Sequence, residues 1–442
     1  MTIICCLALA SCSKTAQNSE SIVNLSSVSE TADNAADLSE MIHVATSWNQ
    51  ECLYKVISRP AGIDSSDENG PMYGNIVRYD MENKTIDYLC SNSDCLHNSD
   101  SCPSFIAYAS DISVFLNDER NQLIIISYGY SDERQTSEAM IGNISVCSLD
   151  GTDRKTVYAL PKNQSFCSDD YVFLDKENVY ITVNESGNTE KSFVKINLDS
   201  PVVETICSMP EDARVKLVCG NTFFYFIPDE EDYQEMTADW DGETEVKLYT
   251  YNSETDSFDL VFSKEGCADY VVGSTLRHIS WDRENSRVTF TDYDFSTQEE
   301  HEFVAEGIST ETRLFYRDAW DLSSISVKYA VKDGDDIVFK KKLVNFDSGE
   351  VTDFTLERSN LPRDGAEAFV TLEVAGDENG GYSDYLCICG YEMRTAEYYD
   401  MNGNKVESKD YYPVYAMISK ENYLAQNPEY EYLEDLTTQA VG

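Results

Sequence analysis

Short runs of alternating apolar and polar residues recur along most of the chain. The runs 122–127, 178–183 and 287–292 are typical, and they are rich in β-branched and aromatic residues. Alternation with a period of two places every second side chain on one face of a strand, and clusters of Asp, Asn, Ser and Gly between the runs mark turns. Helical periodicity is weak except in one short stretch after Ser419. The pattern predicts an all-β domain over residues 48–418.

A turn phrase recurs within this domain: an aromatic or aliphatic residue, then Asp or Asn, a tight turn and a second alternating run. The copies are Tyr79-Asp80, Leu149-Asp150, Leu198-Asp199, Tyr251-Asn252, Tyr293-Asp294, Phe346-Asp347 and Tyr399-Asp400. Successive Asp or Asn positions lie 70, 49, 53, 42, 53 and 53 residues apart. Such side chains accept hydrogen bonds from the backbone N–H groups of their own turns. A hairpin that returns about every 40–50 residues is typical of a β-propeller.

Seven copies predict a propeller of seven four-stranded blades, and the approximate blade ranges are 48–90, 105–160, 168–210, 215–265, 268–307, 313–358 and 367–412. Residues 411–418 are expected to return beside the first blade and close the ring, which leaves no long unpaired sheet edge. A pair of β-sandwiches is the alternative, but it gives no reason for the regular period. Residues 419–442 are expected to form a short helix and an acidic C-terminal tail.

Residues Thr2 to Ala10 form a short apolar stretch, which runs into Leu9-Ala10-Ser11-Cys12. The stretch is too short to span a bilayer, which takes about 20 apolar residues. It resembles the signal sequence and lipobox of bacterial lipoproteins, in which the Cys is acylated with diacylglycerol. The resemblance predicts a signal peptide at 1–11, a lipid on Cys12 and a flexible linker through residue 47, so that the linker with its lipidated Cys covers 12–47. No Lys or Arg precedes the apolar run, so a buried N-terminal strand is the alternative.

Acidic residues far outnumber basic ones, with 80 Asp and Glu against 33 Lys and Arg and a net charge of -47. Such a surface repels the phosphates of nucleic acids, so a nucleic-acid partner is excluded. The charge is chiefly a sign of solubility, and cation binding or an anion-repelling role at the cell surface is the alternative. The acidic run 229–242 has the oxygen ligands that calcium prefers. It lacks the full pattern of a calcium loop, which favours a solvated loop.

One polar loop between the first and second predicted blades carries candidate chemistry: Cys90-Ser-Asn-Ser-Asp-Cys95-Leu-His97-Asn-Ser-Asp-Ser-Cys102-Pro103. Three Cys and one His are the ligand set of a Cys3His zinc site, which with four protein ligands is structural rather than catalytic. The spacing is not that of a common zinc finger. A disulfide from Cys102 to Cys90 or Cys95, with Cys52 as partner for the remaining thiol, is one alternative. Free thiols are the other.

The sequence contains no motif that is typical of a catalytic centre. It has four His, at positions 43, 97, 278 and 301, and lacks the Gly-x-Ser-x-Gly, His-Glu-x-x-His and phosphate-loop patterns. Asp and Glu are so abundant that a carboxylate pair for glycoside hydrolysis has no diagnostic value. Trp240, Trp281 and Trp320 are candidates for stacking on a sugar, with a packing role as the alternative. Most Cys outside the Cys/His loop are expected in the core.

The lipobox, the Ser/Thr-rich spacer, the propeller-like repeats and the Cys…Cys-x-His…Cys-Pro loop resemble a group of uncharacterised bacterial lipoproteins with TolB-like or WD40-like propellers. The resemblance implies a β-propeller outside the cytoplasm, anchored in the cell membrane by lipid, and implies no activity. We therefore expect a binding or scaffolding module for a glycan, a peptide or an envelope protein. The alternative is a carboxylate-dependent glycosidase or lyase. Structural zinc is the candidate cofactor.

Overall fold

The structure is a computed structural model. It describes residues 41–60, 72–107, 111–131, 140–210, 213–220, 222–228, 244–253, 255, 257–266, 268–282, 284–297, 299–308, 314–317, 322–333, 336–363, 367–377 and 380–438. The predicted leader with Cys12, the acidic run 229–242, Trp240 and Trp320 lie outside these residues. In this described part of the chain, no helix is long and apolar enough to cross a membrane.

The regular secondary structure of the described residues is almost entirely β-strand, and the strands form antiparallel units that we number one to seven in chain order. Unit one contains β2 (Cys52–Pro60), β3 (Met72–Asp80), β4 (Thr85–Tyr88) and β5 (Phe105–Ile106), and unit two contains β6 (Ile112–Asn117), β7 (Gln122–Ser127), β8 (Asn143–Ser148) and β9 (Lys155–Ala159). Unit three contains β10 (Gln164–Phe166), β11 (Phe173–Leu174), β12 (Asn178–Glu185), β13 (Glu190–Asn197) and β14 (Val203–Pro210). Unit four contains β15 (Arg214–Cys219), β16 (Thr222–Pro228), β17 (Thr244–Asn252) and β18 (Ser257–Gly266). Unit five contains β19 (Ala268–Val272), β20 (Thr275–Asp282), β21 (Arg287–Asp294) and β22 (Glu300–Glu306). Unit six contains β23 (Leu314–Arg317), β24 (Ser324–Asp333), β25 (Asp336–Asn345) and β26 (Glu350–Asp353). Unit seven contains β27 (Thr371–Asp377), β28 (Gly380–Tyr399), β29 (Lys405–Ser419) and β30 (Glu431–Tyr432). Outside these sets lie β1 (Met41–Val44), β31 (Glu434–Asp435), and the short helix α1 (Lys420–Leu424).

Each unit packs one face against the preceding unit and the other face against the following unit. In β7, Leu123 and Ile125 pack with unit one, whereas Ile124 and Ile126 pack with unit three. Successive side chains of a strand point to opposite faces, so a continuous apolar run is expected where both faces are covered. Hydrophobic clusters of this kind join every consecutive pair of units from one to seven.

Strand β1 merges units three and four into one ten-stranded sheet. It pairs with β11, where His43 lies opposite Leu174, and with β15, where Met41 lies opposite Cys219. Both edges of β1 are therefore hydrogen-bonded inside the domain. The predicted end of the flexible linker 12–47 is wrong, because residues 41–44 already belong to the folded part.

The ring closes where unit seven meets unit one. Leu53 and Val77 of unit one pack with Leu386 and Met417 of unit seven. A closed ring of face-packed antiparallel sheets is a β-propeller, so the predicted all-β propeller class is confirmed. The number of blades stays a prediction, since β1 merges two units.

The C-terminal residues close the ring by a route that differs from the expected one. Residues 411–418 lie in β29 and pack against the first unit through Tyr415 and Met417, as expected, but their strand pairs with β28 inside unit seven and not with a strand of the first unit. Instead β31 pairs in parallel with β4 of unit one. The helix α1 lies where a short helix was expected, and β30 and β31 follow it in the stretch predicted as an acidic tail. The folded domain therefore extends beyond the predicted range 48–418.

Side-chain caps hold the turns of the repeated phrase. Asp400 Oδ1 accepts hydrogen bonds from two backbone N–H groups of its turn, at 2.9 and 2.8 Å. In two copies the capping residue is two positions earlier than expected: Asn197 in place of Asp199, and Asn345 in place of Asp347. An Asn or Asp side chain reaches only the N–H groups of the turn that directly follows it, two to four residues ahead in these turns, so the point where the strand ends decides which residue caps.

Candidate functional site at the closure of the ring

A long hairpin of unit seven reaches across to unit one. Strands β28 and β29 have 20 and 15 residues, whereas the neighbouring β27 has 7. The distal half of the hairpin therefore extends beyond β27. The Tyr73 hydroxyl donates to the carbonyl oxygen of Tyr399 at 2.7 Å, and Asn98 Nδ2 donates to that of Asp400 at 2.8 Å. The hairpin tip thus lies against unit one and against residues 90–105, which we call the Cys/His loop.

The four candidate ligands of the Cys/His loop converge on one point. The Sγ atoms of Cys90, Cys95 and Cys102 and a ring nitrogen of His97 all lie within 4.8 Å of one another. His97 Nδ1 is 3.3 Å from Cys102 Sγ. The three cysteines are free thiols in this structure. The residues that the sequence singled out are therefore brought together as a set of four that could hold a metal.

Each of these thiols accepts a backbone hydrogen bond from two residues ahead, donated by the N–H groups of Asn92, His97 and Ser104. Burial raises the pKa of Cys90 to about 12 and also raises the pKa of Cys95. Burial opposes the ionisation of Cys102 as well, but hydrogen bonds from His97 and Ser104 lower the pKa of this thiol to about 6. The loop thus directs donors at all three sulfur atoms.

Two contacts and an unusual backbone conformation hold His97 in place. Its backbone has a φ of 54°, which non-glycine residues rarely adopt. Its carbonyl oxygen accepts a hydrogen bond from the buried Asn75 at 2.8 Å, and its ring stacks on Tyr88 with centroids 4.1 Å apart. These contacts fix the ring with Nδ1 towards the thiols.

A groove next to the Cys/His loop runs between unit one and the long hairpin, with a volume of about 310 Å³. We call it the tyrosine groove, and its lining residues are Ile57, Ser58, Arg59, Val77, Tyr79, Ile86, Tyr398, Ser408, Tyr412, Pro413, Tyr415, Asp435 and Thr437. Tyr79 and Tyr415 meet edge to face at its base, with ring centroids 4.8 Å apart. Flat aromatic faces and hydroxyl groups therefore share one cleft.

Arg59 lies at the end of the groove nearest His97, where it also lines the smaller pocket that His97 borders. The residue is only 8% exposed. Its guanidinium lies 4.8 Å from the ring centroid of Tyr398 and donates to the hydroxyl of Tyr88. Its Nε is buried without a hydrogen-bond partner, and no ion pair joins it to a carboxylate of the described residues. A buried cation without an anionic partner is costly, because its hydration is lost without compensation.

Sequence reasoning missed the groove. Its one local signal is the density of tyrosines at 398, 399, 411, 412 and 415, which alternation alone assigns to a strand surface. Trp281, a candidate for sugar stacking, is buried between units five and six, which confirms its packing role. His278 is buried with Nε2 3.0 Å from the carbonyl oxygen of Glu265, and His301 is exposed.

Cysteines outside the Cys/His loop and three carboxyl groups with a lowered pKa have structural roles. Buried thiols that confirm the expected core role belong to Cys147, Cys167, Cys219, Cys387 and Cys389. Hydrogen bonds from turns lower the pKa of Asp150 and Asp400, and the ion pair with Lys342 lowers that of Asp353. These carboxylates are ionised turn caps and ion-pair partners, whereas a glycosidase general acid needs a raised pKa.

No protein-family model matches this chain, and no curated protein matches it. Solved structures match it with low identity. An oligogalacturonate lyase from Vibrio parahaemolyticus shares 8% identity with a TM-score of 0.44, covering 86% of this chain and 88% of that one. An uncharacterised protein from Listeria monocytogenes shares 9% identity with a TM-score of 0.44, covering 83% and 94%. The β-propeller domain of a trilobed protease from Pyrococcus furiosus shares 13% identity with a TM-score of 0.33, covering 59% and 68%.

Proposed function

We propose that this protein is a lipid-anchored, extracytoplasmic β-propeller that binds an acidic glycan in the tyrosine groove. The observation that carries the proposal is Arg59, a buried cation without a carboxylate partner among the described residues. A ligand carboxylate that enters the groove would accept hydrogen bonds from the planar guanidinium and supply the missing negative charge. Acidic sugars carry such a carboxylate.

The tyrosines of the groove suit a sugar ring. A tyrosine offers a flat apolar face and a hydroxyl group at its edge, and a pyranose offers apolar C–H faces and polar hydroxyls at its rim. Tyr398 and Tyr412 line the cleft beside Ser58, Ser408 and Thr437, which supply hydroxyl partners. The volume of about 310 Å³ is at the low end of ligand pockets, which fits a short stretch of an oligosaccharide.

The charge of the surroundings favours one anionic group over a polyanion. The chain carries a net charge of -47, which repels extended polyanions at long range. Within the smaller pocket, Lys405 is already paired with Glu397 at 2.8 Å. Arg59 is therefore the cation that a ligand anion would meet.

The membrane is the second proposed partner. A diacylglyceryl group on Cys12 would hold the protein at the cell membrane, outside the cytoplasm, and the chain up to β1 would act as the tether. Mass spectrometry of the mature N-terminus tests this part by itself. A lipidated Cys12 supports the anchor, and an unmodified chain that retains residues 1–11 contradicts it.

The binding proposal is tested by calorimetry on the mature protein with oligosaccharides that contain uronic acids and with neutral ones of equal length. We expect binding of the acidic set. Arg59→Gln should weaken this binding at least tenfold, since the substitution removes the positive charge and the pair of parallel hydrogen bonds that a guanidinium can donate to a carboxylate. Tyr412→Ala should also weaken it. Tyr432→Ala is the matched control, because this tyrosine is 62% exposed on β30 and does not line the groove.

Other results would redirect or reject the proposal. Equal affinity of Arg59→Gln and the parent for acidic oligosaccharides contradicts the role of Arg59. Absence of glycan binding at millimolar concentration, combined with binding of a peptide or an envelope protein, moves the function to those ligands. Turnover of the oligosaccharide, detected as shortened products, supports the glycosidase or lyase alternative instead.

A further inference from the structure

We propose that Cys90, Cys95, His97 and Cys102 bind one Zn²⁺ ion in a closed tetrahedral site that holds the Cys/His loop against the hairpin of unit seven. The proposal does not depend on the glycan-binding proposal. It would act as a structural clamp where the ring closes.

The spacing of the ligand atoms fits a single ion. With Zn–S bonds of about 2.3 Å and a Zn–N bond of about 2.0 Å, the edges of the ligand tetrahedron measure about 3.5 to 3.8 Å. The four ligand atoms lie within 4.8 Å of one another, and His97 Nδ1 is 3.3 Å from Cys102 Sγ. Small movements of side chains would bring all four to bonding distance of a common centre.

The hydrogen bonds around the loop suit metal thiolates better than a disulfide. Each of the three sulfur atoms accepts a backbone N–H from two residues ahead. Such bonds stabilise negative charge on a thiolate, and they orient the ligand. A disulfide uses two sulfur atoms and leaves the third thiol and the imidazole directed at the same point without a role. One ion accounts for all four groups.

His97 is held in one orientation by contacts with the rest of unit one. Contacts from protein groups commonly fix the ring of a ligating histidine and so prepare it for the metal. Here the stacked ring of Tyr88 and the amide of Asn75 fix the ring and the backbone. The strained φ of 54° is the conformation that brings Nδ1 to the thiols.

Binding of the ion would also affect the hairpin of unit seven and the small pocket beside the Cys/His loop. Asn98, next to His97, donates to the Asp400 carbonyl at the tip of the long hairpin. Leu96 and His97 line the small pocket that also contains Arg59 and Tyr398. Removal of the ion should therefore loosen the Cys/His loop and the hairpin tip together, and it should leave the distant seam between units two and three unchanged.

The test uses the mature protein purified without reductant or chelator. Elemental analysis and thiol titration are applied to the parent, to Cys95→Ser and to Cys52→Ser. We expect one zinc per chain in the parent and at least a tenfold lower content in Cys95→Ser. Cys52→Ser is the matched control, since Cys52 is partly exposed and outside the cluster, and it should keep its zinc.

Two further measurements on the parent avoid dependence on the folding of a variant. Replacement of the ion by Co²⁺ should give the visible bands of tetrahedral cobalt with thiolate ligands. Chelation should accelerate amide hydrogen exchange at least tenfold in residues 90–105 and 396–408, and added Zn²⁺ should reverse it. A metal-free protein with a disulfide mapped among Cys90, Cys95 and Cys102 overturns the proposal. The proposal is also overturned if the protein is metal-free with three reactive thiols, if the cobalt bands are absent, or if Cys95→Ser retains its zinc.

Discussion

Two seams of the ring, that between units two and three and that between units seven and one, are built in different ways. The first is filled by aliphatic side chains such as Ile124, Ile144 and Ile181, which are completely buried. The second has an apolar base around Leu53 and Leu386, but above it lie tyrosines, a groove and the Cys/His loop.

The difference follows from the lengths of the strands. No strand of unit two is longer than 6 residues and none of unit three is longer than 8, so neither unit has an overhanging hairpin and their faces cover each other. At the other seam the 20 residues of β28 extend beyond the 7 residues of β27, and the overhanging hairpin meets the loop of unit one instead of a flat sheet. A propeller can therefore keep a close-packed ring and still form a cleft, provided that one hairpin is longer than its neighbours.

The largest expected effect concerns the aliphatic seam. Ile181→Ala should lower the free energy of unfolding by about 2–5 kcal/mol, because it removes buried methyl and methylene groups and leaves a cavity. Denaturant titration measures this loss. Binding of the acidic glycan should be unchanged where the variant is folded. A loss below about 0.5 kcal/mol would mean that this seam is not close-packed.

A smaller effect is expected where the C-terminal residues close the ring. Leu433 is buried against unit one next to β31, and Leu433→Ala should cost about 2 kcal/mol, the low end for such a change, because the nearby C-terminal residues can adjust. Hydrogen exchange in β4 and β31 should accelerate selectively. Val202→Ala is the control: its side chain is exposed, so it should change stability by less than about 0.5 kcal/mol. Uniform acceleration in all units would contradict a local closure.

The smallest effect is expected at the acidic turn caps. Burial opposes the ionisation of Asp80, but hydrogen bonds from Asn83 and the ion pair with Arg78 lower its pKa. Its stabilising contribution is therefore complete above the unfolded pKa of about 3.9 and is lost as the pH falls through the lower folded value.

Asp80→Asn should cost about 1 kcal/mol at pH 7, and the difference from the parent should vanish in acid. Unfolding curves between pH 7 and pH 2 measure it. Asp347→Asn is the matched control, since Asp347 is exposed in the same turn phrase but Asn345 caps its turn. An equal effect of both substitutions would show that capping is not the cause.

The candidate site was predictable only in part. Cys90, Cys95, His97 and Cys102 are close in sequence, and their residue types predicted a zinc site as one of three alternatives; the structure brings all four together. Arg59 was not predictable, because its burial depends on Tyr398, which belongs to a hairpin at the other end of the chain. Nothing in the residues around position 59 indicates that the last unit will cover it.

The sequence by itself determined the features that rest on local physics. Alternation with a period of two produced the strands, and Asn or Asp side chains set the turns. Tertiary structure alone decided that β1 lies between units three and four, that β31 and not residues 411–418 pairs with a strand of the first unit, and that a groove opens at the closure. The physical reason is that both the pairing of a ring-closing strand and the overhang of a hairpin depend on strands far apart in the chain. Where those strands end relative to one another cannot be inferred from a local sequence pattern.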